Sequence, residues 1–146
     1  MKDMTKQQHW SKSNMLPAFT LSAPDHNKEI AIMEGGDTNS LLFGPYRAPD
    51  SHYPWSLGTV IIHGQHHFNF LRSVNLNDKI TLGDNMGSQY HYLVEDVGII
   101  DLDIDEIGIA NIVELKLVTN WPFDRLDDGN KLRFIVTARK DESYKK

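Results

Sequence analysis

Three side chains of this 146-residue chain combine chemistry with position. His63 closes the apolar run Gly58-Thr59-Val60-Ile61-Ile62 and is followed by Gly64. Asn120 closes a second run, Leu115-Lys116-Leu117-Val118-Thr119. Arg133 sits inside a third run, flanked by Leu132 and Phe134. An imidazole at the end of a rigid strand can give and take a proton near neutral pH. A guanidinium in an alternating strand points away from its apolar neighbours and can donate several hydrogen bonds to an oxyanion or a peptide carbonyl. The carboxamide of Asn120 donates and accepts hydrogen bonds, but its nitrogen is delocalised into the carbonyl and is no nucleophile. It can hold a peptide without cutting it. Each residue also has a plainer reading: a structural histidine at a strand end, and a solvated surface arginine.

Two more imidazoles, His66 and His67, follow His63 closely. Neutral imidazole ligates Zn, Cu, Fe and Ni. The spacing matches no zinc signature, however, and a strand end followed by a turn need not bring the three rings together. No metal and no cofactor are expected. Asp101, Asp103, Asp105 and Glu106 carry enough carboxylate to interest a hard cation. Their alternation with Leu102 and Ile104 fits a strand edge with a solvated face better, and the glycine and distal glutamate of an EF-hand loop are missing.

The elements that must position these residues are short. Residues 29–33, 40–43, 58–63, 79–82, 90–97, 113–119 and 132–138 read as strands. The segment Gly83-Asp84-Asn85-Met86-Gly87 joins two of them as a hairpin. Residues 99–109 read as a strand followed by an acidic loop. Residues 67–74 fit two helical turns with Phe68, Leu71 and Phe70 inward. Residues 44–58 hold three prolines and two glycines and read as a loop, and Asp127-Asp128-Gly129-Asn130 joins the last two strands. Residues 1–14, polar but for Trp10, read as a flexible leader, which leaves 15–146 as a single domain. Seven to eight short strands with long loops and little helix predict an all-β fold, a closed or nearly closed β-barrel.

Composition narrows the function classes. The net charge of -5 argues against a nucleic-acid partner, which needs a basic stripe to displace counterions. No cysteine is present, so disulfides and thiolate metal sites are excluded. No apolar run approaches the roughly 20 residues that span a bilayer, and the leader lacks a signal peptide's apolar stretch. The expectation is either a soluble protein or one whose membrane anchor preceded Met1.

In order and spacing, residues 40–140 resemble the sortase family of cysteine transpeptidases. Gly58-Thr59-Val60-Ile61-Ile62-His63 resembles the strand that leads to the family's catalytic histidine. His67-Phe68-x-Phe70-Leu71, then Leu76-x-Asp78-Lys79-Ile80, resembles its HF-x-FL…L-x-x-GD-x-I continuation. Leu117-Val118-Thr119-Asn120 resembles TL-x-TC with the cysteine replaced. Trp121-Pro122-Phe123-Asp124 and the run from Leu132 to Arg139 resemble the closing segment of proteobacterial members, which are paired with a single target protein.

The resemblance implies a sortase-like barrel and a known chemistry. In active members a cysteine thiolate attacks a Leu-Pro-x-Thr-Gly-like sorting signal and forms a thioacyl intermediate. A histidine protonates the leaving amine, and an arginine stabilises the oxyanion or positions the peptide. By resemblance His63 takes the acid/base position, Arg133 the arginine position and Asn120 the cysteine position, with Thr119 and Trp121 expected to touch substrate. The implied partners are a sorting-signal peptide of a surface protein and an amine acceptor. The implied location is the outer face of the cytoplasmic membrane, reached through an anchor outside this chain.

Two departures stand beside the missing thiol. Lys116 stands where the motif usually has threonine, an outward-facing change, and Gly64 stands where the related proteobacterial proteins usually carry arginine. No Ser or Thr takes over the nucleophile, since Thr119 points to the other face of its strand. Turnover is therefore expected to be absent or severely reduced. Asn120 is either an introduced replacement or native. An introduced one would ordinarily be Ala or Ser, and Gly64 favours a natural pseudo-sortase that binds peptide. A metal-assisted hydrolase using His63, His66 and His67 is the remaining alternative.

Overall fold

Alternation of apolar and polar side chains sets the architecture. The structure, a computed structural model, describes residues 16–34, 44–123 and 129–144. Eight strands run in chain order: β1 (Leu16–Ala23), β2 (Lys28–Glu34), β3 (Tyr46–Arg47), β4 (Thr59–His63), β5 (Lys79–Asp84), β6 (Gln89–Asp101), β7 (Glu114–Asn120) and β8 (Leu132–Lys140). They close a barrel in the order β1-β2-β3-β4-β7-β8-β6-β5. The β2–β3 and β4–β7 contacts are parallel; the other pairings are antiparallel. The expected closed all-β barrel is what forms.

Every second residue feeds the interior. Leu21, Ile32, Ile62, Leu82, Leu117 and Val136 are fully buried members of one core. A 3-10 helix, His66–Ser73, adds the fully buried Phe68 and Leu71 to that core, with Phe70 packed partly buried against it. The other parity builds a second, smaller cluster on the outside of the barrel. There Ala48, Ile61, Val118 and Ile135 are buried together, with Ile100 and Ile107 packed on them. A strand whose two faces are both covered reads as a continuous apolar run, and β4 shows this in Thr59-Val60-Ile61-Ile62.

Three elements differ from the sequence reading. β1 was not anticipated, although Phe19, Leu21 and Ala23 alternate inward along it. Residues 44–58 are not all loop, because β3 lies within them. It has only two residues, and a partly buried ion pair fixes its neighbourhood. Arg47 donates from Nε and Nη2 to the Glu34 carboxylate at 3.0 and 2.6 Å, and from Nη1 to the carbonyls of Ala48 and Ser51 at 3.0 and 2.7 Å. Finally, 90–97 and the start of 99–109 form one continuous strand, β6, with a register shift between Val94 and Asp96. The bulge switches the inward parity, which is why alternation does not read straight through. The leader, the proposed strand 40–43, Asp124, Asp127 and Asp128 lie outside the described residues.

Candidate active site

Strand register brings the three chemical side chains to one place. The parallel β4–β7 pairing sets His63 beside Val118, and the antiparallel β7–β8 pairing sets Asn120 opposite Arg133. Val60 and Ile62 face the core, so Ile61 and His63 face outward. Leu117 faces in, so Val118 and Asn120 face out. Phe134 faces in, so Arg133 and Ile135 face out. His63, Asn120 and Arg133 therefore share the outer face at one end of three adjacent strands. One strand spacing and two residues of rise separate His63 from Asn120, roughly 8 Å between Cα atoms. Side chains cover that span. The outer apolar cluster of Ala48, Ile61, Val118 and Ile135 forms the floor beside them.

The backbone around the three residues is pinned locally. Beyond His63, Gly64 N–H donates to the Val118 carbonyl at 2.9 Å, which ties the turn to β7. A Cβ on Gly64 would lie 2.7 Å from the Phe68 ring, so that packing leaves room only for glycine. Arg133 Nη1 donates to the carbonyls of Asn130 and Leu132, both at 2.9 Å. Asn130 in turn donates to the Trp121 carbonyl at 3.1 Å and accepts from Leu132 N–H at 3.1 Å. The start of β8 is thereby pinned to the end of β7. Burial draws Arg133 below the ordinary guanidinium value, yet it remains charged.

His63 is pushed down to about 4, first by burial and then by the Arg133 charge, with Asp50 opposing both. The imidazole is thus neutral at pH 7. The unfolded chain takes up a proton at this residue near 6.5, whereas the folded chain waits until about 4. In that window the unfolded state binds more protons, so His63 lowers stability as pH falls from 6.5 toward 4 and leaves it untouched above 6.5. The full effect is of order 3 kcal/mol. Urea unfolding of the parent and His63→Gln at pH 7 and pH 4 checks this: the parent loses more stability than the variant on acidification.

The matched family model is the sortase domain, over residues 21–141. The chain belongs to the sortase family. Sortase D of Bacillus subtilis strain 168 is 29% identical over 124 residues, which is 82% of this chain and 62% of that relative. The chain thus spans less than two thirds of that protein. Among solved structures, sortase A from Corynebacterium diphtheriae superposes with a TM-score of 0.72 at 20% identity, covering 93% of this chain and 66% of that one. The Clostridium perfringens Sortase D5 transpeptidase gives 0.73 at 15% identity, covering 97% and 89%. These likenesses concern the fold.

Not every sequence-predicted residue of this sortase reaches the shared face. Thr119, expected at the substrate, is 2% exposed and turned inward by strand alternation, its hydroxyl 3.5 Å from the Gln65 carbonyl. Trp121 packs against the core instead, its ring 5.6 Å from Phe123 and 5.7 Å from Phe134. His66 and His67 lie exposed with rings 4.1 Å apart, whereas His63 is half-buried. Among the described residues, no group of three or more His, Cys, Asp or Glu is placed to hold a metal ion. The metal-assisted reading therefore has no converging ligand set. Asp101 spends its carboxylate on its own turn, accepting from Asp103 N–H at 2.9 Å, and Asp103, Asp105 and Glu106 are solvated.

Sequence reasoning missed two neighbours of His63, Tyr46 and Asp50, both inside the segment read as loop. Alternation was the available signal: Ala48 and Tyr46 share a parity, and Ala48 joins the outer cluster. Taken together, the face offers one neutral imidazole, one carboxamide and one guanidinium beside an apolar floor. That set can orient and polarise an extended peptide carbonyl. His63, Asn120 and Arg133 bring neither a thiol nor a hydroxyl to it.

Proposed function

We propose that this sortase-family chain binds a sorting-signal-like peptide on the outer face of β4, β7 and β8 and does not turn it over. In this reading Asn120 occupies the position of the family's cysteine. The observation that carries it is the β7–β8 register, Asn120 opposite Arg133 with His63 one strand away on the same face, in a chain without cysteine. Asn120 and Arg133 donate to a peptide carbonyl beside the outer apolar cluster. The packing of Phe68 against Gly64 supports a native origin for Asn120, because that second departure is built into the core. By the same family reading the protein works at the outer face of the cytoplasmic membrane.

The test is a titration of isotope-labelled parent chain with Leu-Pro-x-Thr-Gly peptides. Saturable shifts are expected at Val118, Asn120 and Arg133, with no cleaved product. Arg133→Ala is expected to weaken binding about tenfold or more, the loss of a charged hydrogen bond. A folded chain that shows no shift at these residues with any peptide of the series contradicts the proposal.

A further inference from the structure

His63 ends β4 on the outer face of the barrel, where water ordinarily wets an imidazole on several sides. Here the ring is half-buried. On the β7 flank its cover is Val118, its register neighbour, which is 1% exposed. On the other flank lies β3, which offers only two residues. Tyr46 is the one paired with His63, and directly opposed residues of an antiparallel pair share a face. The two ring centroids are 5.5 Å apart at an interplanar angle of 33°. Burial also pushes the Tyr46 phenol up, which fits a ring lodged in a dry contact.

The backbone under Tyr46 is not free to swing. Met33 N–H donates to the Pro45 carbonyl at 2.8 Å on one side, and Arg47 is locked to Glu34 on the other. The charged or titratable groups that bear on His63 come from β8 (Arg133) and from the turn after β3 (Asp50), besides Tyr46 itself. β7 contributes Val118 and the uncharged Asn120. Lys116, further along β7, donates instead to the Gly108 carbonyl at 3.2 Å.

We propose that Tyr46 is a positioning residue for His63: its ring is the second wall of a dry slot, opposite Val118, that holds the imidazole on the face it shares with Asn120 and Arg133. The proposal deepens the reading of that face as a peptide site and rests on it for its purpose. Its test, however, reads the imidazole alone, in the parent chain and without peptide. Failure of peptide binding and failure of the slot are therefore separate results. A purely structural role in β3 would be met by any side chain of good strand propensity.

The experiment is an NMR titration of the His63 ring in the parent, Tyr46→Phe and Tyr46→Ala, alongside their thermal melts. The parent is expected to titrate at about 4. Tyr46→Phe keeps the wall and is expected to match it. Tyr46→Ala opens the slot to water, so His63 is expected to rise above about 5 as desolvation is relieved. If Tyr46→Ala does not fold, Tyr46→Thr keeps β-branching without a wall and is read the same way. A lower melting temperature with His63 still at its parent value would assign Tyr46 a structural role only and overturn the proposal. So would a Tyr46→Phe chain in which His63 rises as far as in the truncated variant.

Discussion

Asn120→Cys is expected to turn a silent chain into a measurable transpeptidase. The substitution would place a thiol opposite Arg133 and within side-chain reach of His63, on a face where the Arg133 guanidinium is already anchored. In the parent, His63 is neutral because burial and the Arg133 charge both oppose its proton. A thiolate beside it reverses the sign of the local field, so the imidazolium becomes the stable partner and His63 moves up from about 4. The sulfur then attacks the peptide carbonyl. Arg133 donates to the developing oxyanion, and the imidazolium gives its proton to the leaving amine. Loss of a nucleophile from a cooperating set costs about a millionfold, so even partial recovery is expected to exceed the parent by about a thousandfold. The assay is cleavage of fluorogenic Leu-Pro-x-Thr-Gly peptides with and without an amine acceptor. Adding His63→Ala to the variant is expected to remove the gain.

Gly64→Arg, which introduces the arginine expected here from the resemblance to proteobacterial members, is expected to damage the fold rather than repair the site. A Cβ at Gly64 would sit 2.7 Å from Phe68 Cδ2. Phe68 is fully buried in the inner core, so its ring has nowhere to retreat. Overpacking of this kind costs about 3 kcal/mol or more where backbone and ring must both shift. Urea unfolding reads the cost directly, and Gly64→Ala serves as a milder probe of the same contact. Lys116→Thr, the other reversion, is expected to stay within about 0.5 kcal/mol. Lys116 is half-buried and loses only a 3.2 Å bond to the Gly108 carbonyl and a 3.8 Å contact with Glu114. Equal stability of Gly64→Arg and the parent would mean that Phe68 is not the constraint.

The barrel and the shared face were legible for the same reason. Val113 to Thr119 and Leu132 to Ala138 alternate with period two, and that parity alone places Asn120 and Arg133 outside and Thr119 inside. Thr119, expected at the substrate, is turned inward by that same parity and sits off the shared face. Trp121 was not legible, because alternation stops at the strand end and the ring then follows the nearest apolar surface, Phe123 and Phe134. β3 was hidden for a different reason. Two residues carry no periodic signal, and the ion pair between Arg47 and Glu34 spans a separation of 13 residues. Tyr46 was lost with it, so the sequence showed His63 without its wall. In β6 the bulge at Glu95 broke a 13-residue strand into two apparent segments.

The proposal places His63, Asn120 and Arg133 on one face, with Asn120 at the position of the family's cysteine. Intact-mass spectrometry of Asn120→Cys mixed with a Leu-Pro-x-Thr-Gly peptide tests it most directly. A covalent acyl adduct is expected on the variant, absent from the parent and lost when Arg133→Ala is added. A folded Asn120→Cys chain that binds the peptide yet never acquires the adduct would contradict it.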